Sequence, residues 1–325
     1  MSSADPVFTE KTTAAEVAEA FAEQVKGKTV LITGTSVKGL GFATARALAK
    51  NAGLVIITGR NPTKLKESKD ALKAEFPQAN IRPLALDLAS RASVRKAAAE
   101  VNAYAEPLHI LINNAIAPMG PFTLDEDNLE VQFSLDHVNP FLFTKLLTPK
   151  LLASSTPAFT PRVLFISSMG HAMIPGLDWD HLVHPDAAKH DPVGAYCQSK
   201  LANVLAAKEL TRRSKGRIQS FSLHPGTIAT GEDPTTVASL MEKGIYTAEG
   251  KPNLEVAKWK TRDEGGATIV AAAIDPRIEG KGGAYLVDSV IAGDDQVSPF
   301  ALEPANAKKL WDLTEELLGE KFTFE

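Results

Sequence analysis

From residue 29 onward, short β-branched runs alternate with longer stretches of helical period. The strand-length runs are Thr29–Thr33, Leu54–Thr58, Ile81–Leu86, His109–Asn113, Arg162–Ser167, Ile218–Leu223 and Gly283–Val287. Between them, residues 41–51, 62–75, 90–104, 124–153, 194–214 and 261–274 have helical patterning. This order predicts an α/β fold, a doubly wound parallel sheet of seven strands with helices on both faces. Residues 13–26 add an amphipathic N-terminal helix. Thr13 and Glu16 have capping-box spacing there, and Val17, Ala18, Phe21 and Val25 form one stripe. Residues 304–318 predict a C-terminal helix whose apolar face, including Ala307, Leu310, Trp311 and Leu318, packs on the body or on a partner subunit of a homo-oligomer. No repeat or linker divides the chain, which reads as an extension (1–27) and a single domain (28–325).

Two segments break the rhythm. Residues 169–193 are rich in His, Asp and Pro, and residues 227–260 mix Gly and Pro with short apolar stretches. Both follow a strand and so emerge at the carboxyl edge of the sheet, where open α/β folds bind ligands. Their length predicts lids or binding loops.

Composition narrows the function. The 325 residues are 44% hydrophobic and 23% charged, with a net charge of −4, which argues against nucleic acid as a partner. Cys197 is the only cysteine, so no intrachain disulfide or thiolate metal site can form. The N-terminus lacks a basic start with an apolar run, and no apolar stretch reaches the ~20 residues of a membrane span. A cytoplasmic, soluble protein without a membrane anchor is expected. His181, His184 and His190 lie among Asp178, Asp180, Asp186 and Asp191, but in loop context, and no metal site is assigned.

The first strand runs into Thr33-Gly34-Thr35-Ser36-Val37-Lys38-Gly39-Leu40-Gly41, and a helix follows. Glycines in such a turn let the backbone approach a pyrophosphate at the helix N-terminus, as in a Rossmann fold. Gly34 and Gly39 also have P-loop spacing, but Leu40 and Gly41 stand where Lys and Ser/Thr are required. The second strand ends in Thr58-Gly59-Arg60-Asn61, without the acid that would take the ribose hydroxyls of NAD. Arg60 and Lys38 can pair with a 2′-phosphate instead, which points to NADP(H).

Tyr196 and Lys200 stand four residues apart on one face of a predicted helix. A neighbouring ammonium stabilises a phenolate, as proton exchange by tyrosine near neutrality requires. Ser168 ends the fifth strand at the same sheet edge. With the glycine turn, Asp87-Leu88, Asn113-Asn114-Ala115, Asn139, Ser167-Ser168, Tyr196 with Lys200, and His224-Pro225-Gly226, the chain resembles the short-chain dehydrogenase/reductase family. The phrase AYCQSKLANVL (195–205) resembles its retinol-dehydrogenase-like and WW-domain-oxidoreductase-like branch in particular.

The resemblance implies hydride transfer between a nicotinamide and a carbonyl or alcohol carbon. It makes Tyr196 the general acid, Ser168 the residue that holds the substrate oxygen, Lys200 the ribose ligand that lowers the Tyr196 pKa, and Asn139 the residue that positions a relay water. The cofactor-binding set then comprises Gly34, Thr35, Ser36, Lys38, Gly39, Leu40, Gly41, Arg60, Asn61, Asp87, Leu88, Asn113, Asn114, Ala115, Pro225, Gly226, Ile228 and Thr230, besides Tyr196 and Lys200.

Three residues depart from the family pattern. The glycine turn is one residue longer and carries Lys38, Ile116 replaces the glycine after Asn113-Asn114-Ala115, and Pro140 follows Asn139 inside a helical segment. Ile174, Leu177, Trp179, Val237, Leu240, Met241, Ile245 and Tyr246 in the two loops suggest a fairly bulky apolar small-molecule substrate. The alternative from another class is a non-catalytic NADP(H)-binding sensor or interaction protein on the same scaffold.

Overall fold

The computed structural model describes residues 5–229 and 233–324. Ten strands form among these described residues: β1 (Thr29–Ile32), β2 (Leu54–Gly59), β3 (Ile81–Ala85), β4 (Ile110–Asn113), β5 (Arg162–Ile166), β6 (Gln219–His224), β7 (Thr227–Ile228), β8 (Trp259–Lys260), β9 (Tyr285–Val287) and β10 (Val290–Ile291). Eight of them make one sheet in the order β10-β9-β6-β5-β4-β1-β2-β3. Seven of these run parallel, and their order reverses between β1 and β4, the switch point of a Rossmann-type sheet. β1, β4 and β5 are buried along their whole length, as strands covered on both faces must be. One apolar cluster lies on each side of them.

The eighth strand departs from the predicted seven. β10 folds back antiparallel on β9 through a turn of two residues, Asp288 and Ser289, with φ of 49° and 67°. Two left-handed central residues are the type I′ hairpin geometry. Asp-Ser is a weak signal for it beside Asn-Gly, and tertiary contact helps hold it, since the buried Ser289 N–H donates to Thr268 Oγ1 at 3.1 Å.

Two helical expectations, the N-terminal helix and the segment 124–153, change in detail. The N-terminal helix keeps its Thr13–Glu16 capping box but breaks at Phe21 into Ala14–Ala20 and Ala22–Val25. Its buried face packs on the helix Arg262–Ile274, where Gly266 allows Ala14 to approach closely. The C-terminal helix Pro304–Leu318 buries Ala307, Leu310, Trp311 and Leu318 in the body.

The segment 124–153 is not one helix. Leu124 bridges back to Glu130, a short turn covers Val131–Phe133, and Ser134–Val138 widens into a π-helical turn before the helix Asn139–Ala153. Pro140 has no N–H to give to the Asp136 carbonyl four residues back, so the ladder is broken there. Asn139 N–H instead reaches the Ser134 carbonyl five residues back, the π pattern. This wider turn lies beside the carboxyl ends of the strands.

Candidate active site

The turn after β1 is held by the backbones around it. Gly34 has φ 71°, and a Cβ there would come within 2.9 Å of the Ala115 Cα. A Cβ on Gly41 would meet the Gly34 carbonyl at 2.5 Å and Asn114 Nδ2 at 2.6 Å. Asn114 Nδ2 donates to the carbonyls of Thr33 (2.8 Å) and Gly34 (3.1 Å). Thr33 Oγ1 accepts the backbone N–H groups of Asn114 and Ala115, both at 2.9 Å. On the other flank Thr35 donates to the Thr58 carbonyl. No side chain caps the following helix, Leu40–Ala49, so its first amides remain donors for an anion.

The turn opens one end of a cleft of about 870 Å³, within the usual range of small-molecule sites. Gly34, Thr35, Ser36, Gly39, Leu40, Arg60, Asn61, Asp87, Leu88, Asn114, Ala115, Ser168, Tyr196, Lys200, Pro225, Gly226 and Ile228 all line it. A glycine cradle, uncapped helix amides and a long cleft together fit a dinucleotide. The remaining expected residues lie elsewhere. Gly41 is buried behind the turn, and Lys38 is exposed on it. Asn113 is buried in β4, donating to Thr144 Oγ1 at 3.1 Å. Thr230 falls outside the described residues.

At the other end, the helix Pro192–Arg213 starts on Pro192, with Asp191 accepting the Gly194 N–H at 3.0 Å. It carries Tyr196 to the cleft, partly exposed, and buries Lys200 one turn later. Lys200 Nζ lies 5.3 Å from the Tyr196 ring centroid. Ser168 follows β5, and its Oγ accepts the Gly170 N–H at 3.1 Å while standing within hydrogen-bonding reach of Tyr196. Burial raises the Tyr196 pKa, while the Lys200 ammonium and the Ser168 hydrogen bond act in the opposite direction.

Asn139 opens the helix Asn139–Ala153 behind the cleft. Its Nδ2 donates to the Leu88 carbonyl at 2.7 Å and to Ser134 Oγ at 3.2 Å, and its side chain is buried. Lys200 meets Asp136 at 3.3 Å, on the π-helical turn. Sequence reasoning missed Asp136, although an acid among Phe133, Leu135, Val138 and Phe141 signals a buried carboxylate that needs a partner. It also missed His171. This buried ring accepts the Ser298 N–H on Nε2 (3.1 Å), so Nδ1 carries the proton and donates to the Ser168 carbonyl at 2.6 Å. Lys64, one turn beyond Arg60, lines the cleft as well.

The apolar residues of the two loops divide. Leu240, Ile245 and Tyr246 line the cleft, joined by Trp259 and Val256. Leu177 is buried in the main core, with Ile174 and Trp179 packed against it, so residues 169–193 contribute Met169 and Met173 instead. The apolar pattern alone could not separate loop side chains that face the cleft from those that anchor the loop. The second loop also contains a helix, Pro234–Glu242, which Asp233 caps by accepting from Thr235 and Thr236.

Comparison with known proteins identifies the scaffold. A short chain dehydrogenase family model matches residues 28–177. Retinol dehydrogenase 14 of Homo sapiens is 33% identical over 307 residues, covering 90% of this chain and 86% of its own. The chain belongs to the short-chain dehydrogenase/reductase family. WW domain-containing oxidoreductase of Danio rerio is 32% identical, covering 93% of this chain and 71% of its own length. A solved structure of a protein from Mycobacterium Paratuberculosis superposes with a TM-score of 0.67 at 27% identity, covering 93% and 98% of the two chains. Membership makes this short-chain dehydrogenase/reductase an oxidoreductase that uses a nicotinamide dinucleotide and acts on a small molecule. Among its described residues, no helix is long and apolar enough to cross a membrane.

Proposed function

We propose that the protein is an NADP(H)-dependent reductase that interconverts a carbonyl and a secondary alcohol on a fairly bulky apolar small molecule. The observation that carries this reading is the convergence of Ser168, Tyr196 and Lys200 on a cleft that also receives Arg60 and Lys64. When bound, the nicotinamide supplies the hydride that adds to the carbonyl carbon. Ser168 donates a hydrogen bond to the carbonyl oxygen and fixes its position. Tyr196 gives that oxygen its hydroxyl proton, completing the alcohol, and is then reprotonated from solvent. Lys200 stabilises the transient phenolate by its charge.

Arg60 and Lys64 support a 2′-phosphate ligand, and Asn61, the neighbour of Arg60, is neutral. Leu240, Ile245, Tyr246 and Trp259 support an apolar substrate, in keeping with the retinol named in the human relative. We place the enzyme in the cytoplasm, where a lone buried thiol such as Cys197 stays reduced.

The test is a screen of apolar ketones and aldehydes with NADPH, comparing the wild type with Tyr196→Phe. Loss of the proton donor is expected to cut turnover by about 10²–10⁴-fold with cofactor affinity retained. A non-catalytic binding protein would show NADPH binding but no turnover to lose.

A further inference from the structure

Asp136 is the carboxylate nearest the catalytic cation, and the reaction as described so far gives it no task. Its side chain is 0% exposed and that of Lys200 is 4% exposed, with 3.3 Å between Oδ2 and Nζ. Three further donors close around it: Ala117 N–H on Oδ1 at 2.7 Å, and Gln132 Nε2 (2.8 Å) and Ser199 Oγ (2.9 Å) on Oδ2. Four donors converge on this carboxylate in the interior, so its position is set by backbone and side chains together. Among the described residues no other carboxylate lies within salt-bridge distance of Lys200.

We propose that Asp136 is a positioning residue that anchors Lys200 and draws its charge away from Tyr196, so that Tyr196 remains a proton donor and the site favours carbonyl reduction. This rests on the functional reading above. A phenolate at Tyr196 depends on the Lys200 ammonium, and an anion on the far side of that ammonium cancels part of its field in a poorly solvated setting. The same anion also acts directly against a second negative charge at Tyr196. Reduction needs the phenol and fails as pH rises through its titration, whereas oxidation needs the phenolate and begins there. Asp136 therefore extends reduction to higher pH and delays oxidation.

Other titratable groups face this centre. Cys197 and Tyr285 lie beside Tyr196, His171 packs tilted against Tyr285 with centroids 4.6 Å apart, and His224 approaches from the end of β6 with Lys260 and Asp288 behind it. Glu130 faces Asp136 from the same segment and also faces His190, and the neighbouring His137 points to Thr314. None of these bridges to Lys200, so neutralising Asp136 changes the field at that cation more directly than any of them.

The experiment is a tyrosinate absorbance titration by rapid pH jump, with the Tyr196→Phe trace subtracted, on wild type, Asp136→Asn and Asp136→Glu. Asp136→Asn is expected to lower the Tyr196 midpoint by about one pH unit, with Asp136→Glu returning it toward the wild type. The alkaline limb of carbonyl reduction and the acid limb of alcohol oxidation should move down together by the same amount. An unchanged midpoint in a folded Asp136→Asn protein overturns the proposal. If that variant does not fold, because its amide faces the donors of Gln132 and Lys200, Asp136→Ser carries the same expectation with a water in the space. Should the wild type turn over no carbonyl, the functional reading falls, while the titration still decides whether Asp136 sets the proton affinity of Tyr196.

Discussion

The two ends of the cleft are built from different materials. At the glycine turn backbone packs directly on backbone, Gly34 against Ala115 and Gly41 against the Gly34 carbonyl, while the short side chains of Thr33 and Asn114 stitch the ends of β1 and β4 together through backbone groups. At the loop end, the walls are side chains on short elements. Met169 is 56% exposed and Met173 67%, while Leu254 at 79% extends the apolar rim of the second loop. There the two-stranded β7–β8 ladder and the edge contact of Tyr246 with Trp259 hold the second loop together. A backbone cradle tolerates almost no added atom, and so it recognises a constant ligand. Flexible methionine and aromatic walls accept changes of shape, and so they suit the variable one.

Substitution can break this comparison at its stiffest point first. Gly41→Ala adds a methyl group that would sit 2.5 Å from a carbonyl oxygen, forcing the turn apart at a cost of about 3 kcal/mol. NADPH and NADH binding should both fall by about 10²-fold in a fluorescence titration, although alanine favours the helix itself. Retained affinity would mean that the turn is softer than its contacts imply.

Acid should act on the opposite ends of the strands that carry the turn. His109 Nδ1 accepts the Thr29 N–H at 3.0 Å, tying the starts of β1 and β4, and burial beside Lys28 lowers its pKa to about 4. The unfolded ring titrates near ~6.5, so as pH falls the unfolded chain takes up the proton first. Stability from this group is complete above that value and is lost between about 6.5 and about 4, amounting to about 3 kcal/mol. His109→Gln should shrink the difference between urea midpoints at pH 7 and pH 4.5, leaving the part that the buried His137 and His224, with pKa values also lowered to about 4, contribute.

Cofactor choice offers a smaller effect. Arg60→Ala should weaken NADPH by about 10–100-fold, the value of a charge-assisted pair, and leave NADH unchanged. Equal losses for both would remove the 2′-phosphate assignment. Smallest is the soft wall: Leu240→Ala or Tyr246→Ala should raise the substrate KM by about 10-fold while the NADPH Kd stays constant. A variant that weakens NADPH instead would place that side chain on the cofactor side of the cleft.

The local signals in the chain were strongest where one residue type has one physical use. The parallel strands, the Thr13–Glu16 capping box, the glycines of the turn and the Tyr196–Lys200 spacing all belong to that class, because each depends on neighbours within about one turn. The doubly wound sheet was legible for the same reason. The hairpin at Asp288-Ser289 was not, since its left-handed pair is supported by Thr268 across the fold.

Asn139 illustrates the limit most clearly. By sequence alone it stood in a matching motif, yet Pro140 opens a π-helical turn ahead of it, which places Asp136 at Lys200 and leaves Asn139 on the Leu88 carbonyl. Likewise, Leu177 and Leu240 are equally apolar, and only packing sends one to the core and the other to the cleft. The sequence by itself determined the fold class and the chemistry available, because period and residue type act locally. Tertiary structure alone decided which buried carboxylate meets Lys200, because that pairing joins residues 63 apart (136 to 199) and 64 apart (136 to 200) through a change of helical pitch.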